Sequence, residues 1–169
     1  MQGKRILMGT MLTTVLVLCA SAATAEPAQW KERKAGFLFK GWNTLYTCNG
    51  LYDKLRDIFR ELGARSTDLH INIGDCPVGA NTPMGNSWVS VSFYSLEPAA
   101  GGGVDAQWAA FKTTPGTNHV LSTRDCELLE DLKPLITGNF TLRNATYDTN
   151  CVPGTSPNAN FTGETLKIK

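Results

Sequence analysis

The sequence is poor in the residues that most often carry catalysis and metal binding. It has only two histidines, His70 and His119, among 169 residues, and its five cysteines include no Cys-x-x-Cys pair. The sequence motifs of serine hydrolases, zinc proteases, P-loop proteins and dinucleotide-binding folds do not occur. A lone histidine in a strand or loop is more often a surface residue than a catalytic base. The sequence therefore predicts no cofactor and no metal, and it favours a protein that binds rather than catalyses.

The chain also lacks a strong charge of either sign. Its 16 lysines and arginines face 15 aspartates and glutamates. Nucleic acids and anionic lipid surfaces attract proteins through a marked excess of basic residues. The near balance of basic and acidic residues therefore disfavours nucleic acids and anionic lipid surfaces as partners.

No apolar run in the sequence is long enough for an ordinary membrane span. The longest, residues 6–20, follows Lys4 and Arg5 and precedes an Ala-Thr-Ala sequence at positions 23–25. A short basic region, an apolar stretch and a small-x-small site are the parts of a cleavable export signal. We predict a signal peptide at 1–25, cleaved after Ala25, and a periplasmic or secreted protein without a stable membrane anchor.

Two alternatives to simple export are weaker. A retained N-terminal anchor would need a stop-transfer pattern, which the flanking residues do not show. Lipoprotein signals resemble one another in having a small residue just ahead of the cysteine that becomes acylated, whereas in this sequence the larger Leu18 precedes Cys19. Cleavage after Ala25 leaves 144 residues with 14 basic and 15 acidic side chains, enough for one domain with a core.

The mature chain would keep an even number of cysteines in an oxidising compartment, which predicts two disulfides. The intervals between these cysteines are too long for an ordinary zinc site. The four residues are Cys48, Cys76, Cys126 and Cys151.

Two similar helix-and-strand units surround these cysteines. Apolar spacing predicts a helix at 51–62 ended by Gly63, and alternation predicts a strand at 69–73 that leads to Cys76. A shorter helix at 128–136, capped by Thr123 or Asp125 and disturbed by Pro134, precedes a strand at 139–147 that leads to Cys151. An antiparallel strand returns the chain to the start of its helix. We therefore predict the pairs Cys48–Cys76 and Cys126–Cys151, although bridges between the units stay open because all four cysteines would lie near one edge.

The remaining segments complete one α+β domain at 26–152. Residues 26–35 are polar, 36–48 supply one or two strands, and 88–96 alternate as a strand. A Gly-Gly-Gly turn at 101–103 joins it to 105–113 as the second arm of a hairpin, and the Pro/Gly/Asn-rich tail at 153–169 ends in a short edge strand. The order predicts a two-layer sandwich, mostly antiparallel, with both helices on one face. A ferredoxin-like fold is the nearest named architecture.

The sequences around the cysteines resemble those of a group of uncharacterised exported proteins from Proteobacteria. The resemblance covers residues 46–152 and rests on Tyr-Thr-Cys-Asn-Gly-Leu at 46–51, Leu-Gly-Ala-Arg at 62–65, Asp-Cys-Glu-Leu at 125–128, Cys76 and Cys151. The group has no established function, so the resemblance implies none.

If both helices cover one face of the sheet, the other face stays open. Aromatic rings beside hydroxyl, amide and guanidinium groups suit recognition of a sugar, a peptide or a protein. The alternative is that the N-terminal segment, the 77–86 loop or the C-terminal tail covers these rings. The residues that strand alternation predicts on the open face are His70, Asn72, Trp88, Ser90, Ser92, Tyr94, Thr141 and Arg143.

Three hypotheses for function follow. The first is a non-catalytic, disulfide-stabilised binding or accessory domain that contacts an envelope or extracellular macromolecule through the open face. A second is a small exported hydrolase whose site combines His70, Asp75 and a serine. The third is an exported inhibitor that inserts the 77–86 loop into a partner.

Overall fold

The computed structural model describes residues 25–41, 44–76, 83–116, 119–152 and 158–169. The predicted signal peptide, except Ala25, lies outside the described residues, as does the 77–82 part of the predicted loop.

The predicted α+β class, with an antiparallel sheet and two helices, is confirmed. In chain order the elements of the described residues are β1 (Glu26–Phe39), α1 (Cys48–Glu61), β2 (His70–Ile73), β3 (Ser87–Pro98), β4 (Val104–Lys112), α2 (Cys126–Asn139), β5 (Leu142–Asn150) and β6 (Asn158–Ile168). A short 3-10 helix, Ser66–Asp68, precedes β2. The six strands form one sheet in the order β2-β3-β1-β4-β6-β5, and every neighbouring pair is antiparallel.

The sheet consists of two three-stranded halves joined at one corner. Strand β1 pairs with β3 along residues 28–39, but it pairs with β4 only along residues 26–28. The first half is therefore β2-β3-β1 and the second is β4-β6-β5.

The prediction that β3 and β4 form a hairpin is wrong, because β1 lies between them. Ala28 is opposite Pro98 of β3 on one side and Val104 of β4 on the other, so the connecting segment crosses β1 there. Gly103 has a φ of +100°, and a Cβ atom at this position would lie 2.2 Å from the Ala28 carbonyl oxygen. Glycine is needed where backbones approach this closely.

Two terminal segments also differ from expectation. Residues 26–35, predicted only as a polar segment, form most of the 14-residue strand β1. Polar residues occur on both of its faces, and Arg33, on the core side, donates a hydrogen bond to Ser95 Oγ at 3.1 Å. Strand β6 is longer than the predicted 165–169 segment and lies between β4 and β5, so it is an interior strand rather than the predicted edge strand.

Both helices pack into one apolar cluster on one face of the sheet. Helix α1 begins where Thr47 Oγ1 accepts a hydrogen bond from the Gly50 amide at 3.0 Å, the usual arrangement of a helix N-cap. Its apolar stripe buries Phe59 against Phe93 of β3, with ring centroids 4.9 Å apart. Phe140, just after α2, stacks on the same Phe93 at 5.1 Å. The helix layer leaves the opposite face of the first half free for a site.

Both predicted disulfides are confirmed. Cys48 and Cys76 are bonded with their Cα atoms 5.7 Å apart, and Cys126 and Cys151 with theirs 5.6 Å apart. Each bridge joins the first residue of a helix to a cysteine that lies within a few residues of the end of the next strand, β2 for Cys76 and β5 for Cys151. Each restricts the unfolded chain and contributes about 2–4 kcal/mol to stability.

A buried polar cluster links the starts of the two helices. Asp125 is the residue before α2, but its side chain does not cap that helix as predicted. Its carboxylate instead accepts a hydrogen bond from the Tyr46 hydroxyl and pairs with Lys54 of α1. Burial, with the nearby Asp125 charge, raises the pKa of Tyr46 well above its usual value. The cluster ties α1, α2 and the segment before α1 together.

Candidate ligand-binding groove

The open face of β1, β3 and β2 carries two rows of side chains that run across the strands. Ser92 of β3 lies opposite both Lys34 of β1 and His70 of β2. Ser90 lies opposite Gly36 and Asn72 in the same way. The rows are two residues apart along the strands, which corresponds to about 7 Å.

Small residues in the middle of these rows create a groove of about 380 Å³. The short serine side chains at 90 and 92 form its floor, and the longer side chains of Lys34, His70 and Asn72 flank it. Four of the eight predicted residues line it. The lining residues are Lys34, Ala35, His70, Ile71, Asn72, Ser90, Val91 and Ser92.

Trp88 stands at one end of the groove with 57% of its surface exposed. Its indole lies over Gly36, because a Cβ atom there would come within 2.7 Å of Trp88 Cζ2. The exposed ring therefore lies beside the Ser90 row of the groove. Among the described residues, nothing covers this ring in the way that the alternative prediction required.

Tyr94 lies at the opposite end and is partly covered. The Arg65 guanidinium carbon is 4.4 Å from the Tyr94 ring centroid and 5.3 Å from that of Trp30. The Arg65 amide also donates to the Tyr94 carbonyl oxygen at 2.9 Å. Arg65 is held in turn by Asp68, at 2.7 Å between Nε and Oδ2. This cation–π stack holds the Tyr94 ring in place and leaves it less accessible to a ligand than the ring of Trp88.

The ionisable side chains that line the groove are both basic, namely Lys34 and His70. Lys34 Nζ lies 2.9 Å from Glu32 Oε1, and this hydrogen-bonded neighbour raises the pKa of Lys34. Lys34 is therefore a cation at neutral pH and cannot serve as a general base. Asp68 is near His70 but does not line the groove.

Thr141 and Arg143 lie away from the groove. Thr141 lies just after α2, and its hydroxyl donates a hydrogen bond to the Leu96 carbonyl oxygen at 2.9 Å. Arg143, on the edge strand β5, pairs with Glu164 at 2.6 Å and stacks over the Trp108 ring at 4.3 Å. Arg143 therefore links the three strands of the second half, whereas Thr141 links the start of β5 to β3 of the first half.

Of the residues named in the hydrolase hypothesis, His70 lines the groove and Asp75 does not. His70 opens β2 and Asp75 lies in the turn after its end. The strand between them, His70–Ile73, spans roughly 10 Å. Ser92 beside His70 has Lys34, a cation, as its other neighbour.

Sequence reasoning missed Lys34, which lines the groove. The available signal was Phe37 and Phe39, which flank Leu38 in alternation; continuing that alternation back along the strand puts Lys34 on the open face with Gly36 and Leu38. A smaller depression of about 240 Å³ continues beyond the Arg65 stack, lined by Trp30, Arg60, Gly63, Ala64, Arg65, Ser66, Lys167 and Ile168.

Within the described ranges, no group of three or more histidine, cysteine, aspartate and glutamate side chains is arranged to hold a metal ion. No helix in that part of the chain is both long and apolar enough to cross a membrane. No protein-family model, no curated protein and no solved structure matches this chain.

Proposed function

We propose that this protein is an exported, disulfide-stabilised binding domain of the cell envelope and that it contacts its ligand through the groove. The observation that carries the proposal is the exposed indole of Trp88 beside a groove with serines on its floor. A large flat ring contributes contact area at little cost in conformational entropy. The hydroxyl, amide and cationic groups beside it fix the orientation of a ligand.

The way Trp88 is held supports a role in binding. An exposed tryptophan gains little stability from its position, since more than half of its surface stays in water. Glycine at position 36, opposite Ser90 on the neighbouring strand, lets the ring lie close to the sheet. A rigid aromatic anchor next to orienting polar groups is a common feature of binding sites.

Export is supported by the signal-like N-terminus and by the two disulfides, which persist in oxidising compartments. Cleavage after Ala25 would leave Glu26 as the first residue of the mature protein. Glu26 is the first residue of β1, and its carboxylate accepts a hydrogen bond from Trp108 Nε1 at 2.9 Å. Processing at this bond therefore preserves the whole described fold.

The test is retention of the tagged mature protein by a washed envelope fraction of the producing cells. We expect wild type to be retained and Trp88→Ala to lose most of the retention. Tyr52→Ala is the matched control, because Tyr52 is an exposed aromatic residue on α1, 39% exposed and outside the groove. Equal retention of all three proteins would overturn the proposal.

A further inference from the structure

We infer that the ligand of the groove is a glycan chain bearing carboxylate groups, with one sugar stacked on Trp88 and a carboxylate held between Lys34 and His70. The inference rests on the proposed function and names its ligand class. It draws on three features: the chemistry of the groove walls, the sign of their charge, and the spacing of the two side-chain rows.

The walls suit a sugar better than an extended peptide. A peptide that adds to a sheet binds through backbone hydrogen bonds at a strand edge. On this face the central strand β3 already pairs with β1 and β2 on its two sides, so the floor offers side chains only. A sugar ring has an apolar face that can lie on an indole and a rim of hydroxyls that can bond to Ser90 and Asn72.

The charge of the lining favours an anion. Lys34 and His70 stand on either side of Ser92 in a single row, about 10 Å apart across two strand spacings. Both side chains and the serine hydroxyl can donate hydrogen bonds to an oxygen above Ser92. The mature chain as a whole is nearly neutral, so this basic pair is a local feature of the groove.

The spacing of the two side-chain rows determines how far the stacking contact with Trp88 lies from the carboxylate contact. The Trp88 ring lies over Gly36, in the same row as Ser90 and Asn72. The row of Lys34, Ser92 and His70 lies about 7 Å further along the strands. A sugar stacked on the ring would therefore place the carboxylate of its neighbour, or its own, over the Lys34 row.

Glu32 is the acidic neighbour with which a ligand would compete for Lys34. Its carboxylate pairs with Lys34 on the exposed surface, with relative exposures of 74% for the lysine side chain and 51% for that of Glu32. An exposed pair of this kind is weak, so a ligand carboxylate can compete for Lys34. Removing the Glu32 charge should strengthen binding of an acidic ligand.

The experiment is calorimetric titration of the mature protein with defined oligosaccharides. The probes are trimers of galacturonate and of mannuronate, a hyaluronan tetrasaccharide and a muramic-acid-containing disaccharide, each paired with its carboxyl-reduced form. We expect at least one acidic probe to bind and its reduced form to bind at least tenfold more weakly. Glu32→Gln should tighten binding of the acidic form several-fold.

Two substitutions separate stacking from charge. Trp88→Ala should weaken the acidic and the reduced form alike, whereas Lys34→Gln should weaken only the acidic form, by at least fivefold. Lys112→Gln is the matched control for net charge, since Lys112 is an exposed lysine on β4, outside the groove. Thermal denaturation of each variant confirms that it is folded.

The inference is overturned if none of the acidic probes binds, if the reduced forms bind equally well, or if Lys34→Gln and Lys112→Gln have the same effect. Its failure is distinguishable from failure of the proposed function. Retention by the envelope fraction that depends on Trp88, together with no binding of acidic probes, would keep the binding domain and exclude the acidic glycan.

Discussion

The indole of Trp88 occupies the space that a side chain at Gly36 would need. The two residues lie on neighbouring strands, and a Cβ atom at position 36 would be 2.7 Å from Trp88 Cζ2 and 3.1 Å from the Val89 carbonyl oxygen. Because the ring is exposed, it can swing away, and the Val89 carbonyl needs to shift by only a few tenths of an ångström. Gly36→Ala should therefore reduce envelope retention about as much as Trp88→Ala, while the free energy of unfolding changes by less than about 1 kcal/mol.

Gly138→Ala is the control for that substitution. Gly138 lies in α2, and an added Cβ there has no neighbour within 4 Å. It should leave retention unchanged. The account of Trp88 fails if Gly36→Ala binds like wild type, or if it loses binding only because its unfolding free energy collapses.

Clean periodicity made most of the fold predictable from sequence. The 3.6-residue spacing in 51–62 and the alternation in 88–96 correspond to α1 and β3, and the order of helix and strand predicted both disulfides. Residues 26–35 of β1 were missed because charged residues lie on both faces there, with Arg33 bonded to Ser95 within the sheet, whereas the end of the strand lies in the predicted 36–48 segment. The position of β1 between β3 and β4 is a long-range pairing, and no local pattern at the Gly-Gly-Gly turn reveals it.

The groove was predictable only as far as its strands were. Alternation placed His70, Asn72, Ser90 and Ser92 on one face, and they line one groove. Lys34 was missed because it lies in the part of β1 before residue 36, which was predicted only as a polar segment. Covering of Tyr94 by Arg65 depends on a long side chain from the segment after α1, which strand alternation cannot reveal. Thr141 precedes β5, and its hydroxyl donates to the Leu96 carbonyl oxygen, so it lies outside the groove.

The ion pair between Lys54 and Asp125 should show strong coupling in stability. Their side chains are 13% and 10% exposed, so removing one partner leaves the other charge buried and costs about 3–5 kcal/mol. We expect Asp125→Asn and Lys54→Met each to be strongly destabilising, and the double variant to lose much less than the sum. Urea denaturation of the four proteins measures the coupling. Additive losses would show that the pair contributes nothing as a pair.

Each disulfide should contribute similarly to stability. The bonded cysteines are 28 and 25 residues apart, so the two bridges restrict unfolded loops of nearly equal length. Replacing both cysteines of either pair by serine should lower the free energy of unfolding by about 3 kcal/mol. Denaturant titration measures the loss, and peptide mapping without reductant identifies the bonded pairs. Recovery of a peptide joining Cys48 to Cys126 or Cys151 would contradict the structure.

Stability at alkaline pH should depend on Tyr147. Burial raises the pKa of Tyr147 to about 12, whereas an unfolded tyrosine has a pKa of about 10. The folded state therefore holds the phenolic proton more tightly, and this contribution is complete below pH 10 and is lost as pH rises through 12. The free energy of unfolding should fall more steeply between pH 9 and 11.5 for wild type than for Tyr147→Phe. Parallel pH profiles would show that Tyr147 does not titrate as described.

The two histidines provide the most direct test of the groove as the binding surface. Both are exposed, but His70 lines the groove and His119 lies in the segment before α2. Diethyl pyrocarbonate modifies exposed imidazoles, and mass spectrometry reports the rate at each position, so His119 serves as an internal control in the same molecule. With the washed envelope fraction present, we predict that modification of His70 slows several-fold while that of His119 is unchanged. Unchanged modification of His70, or protection of His119 alone, would contradict the account.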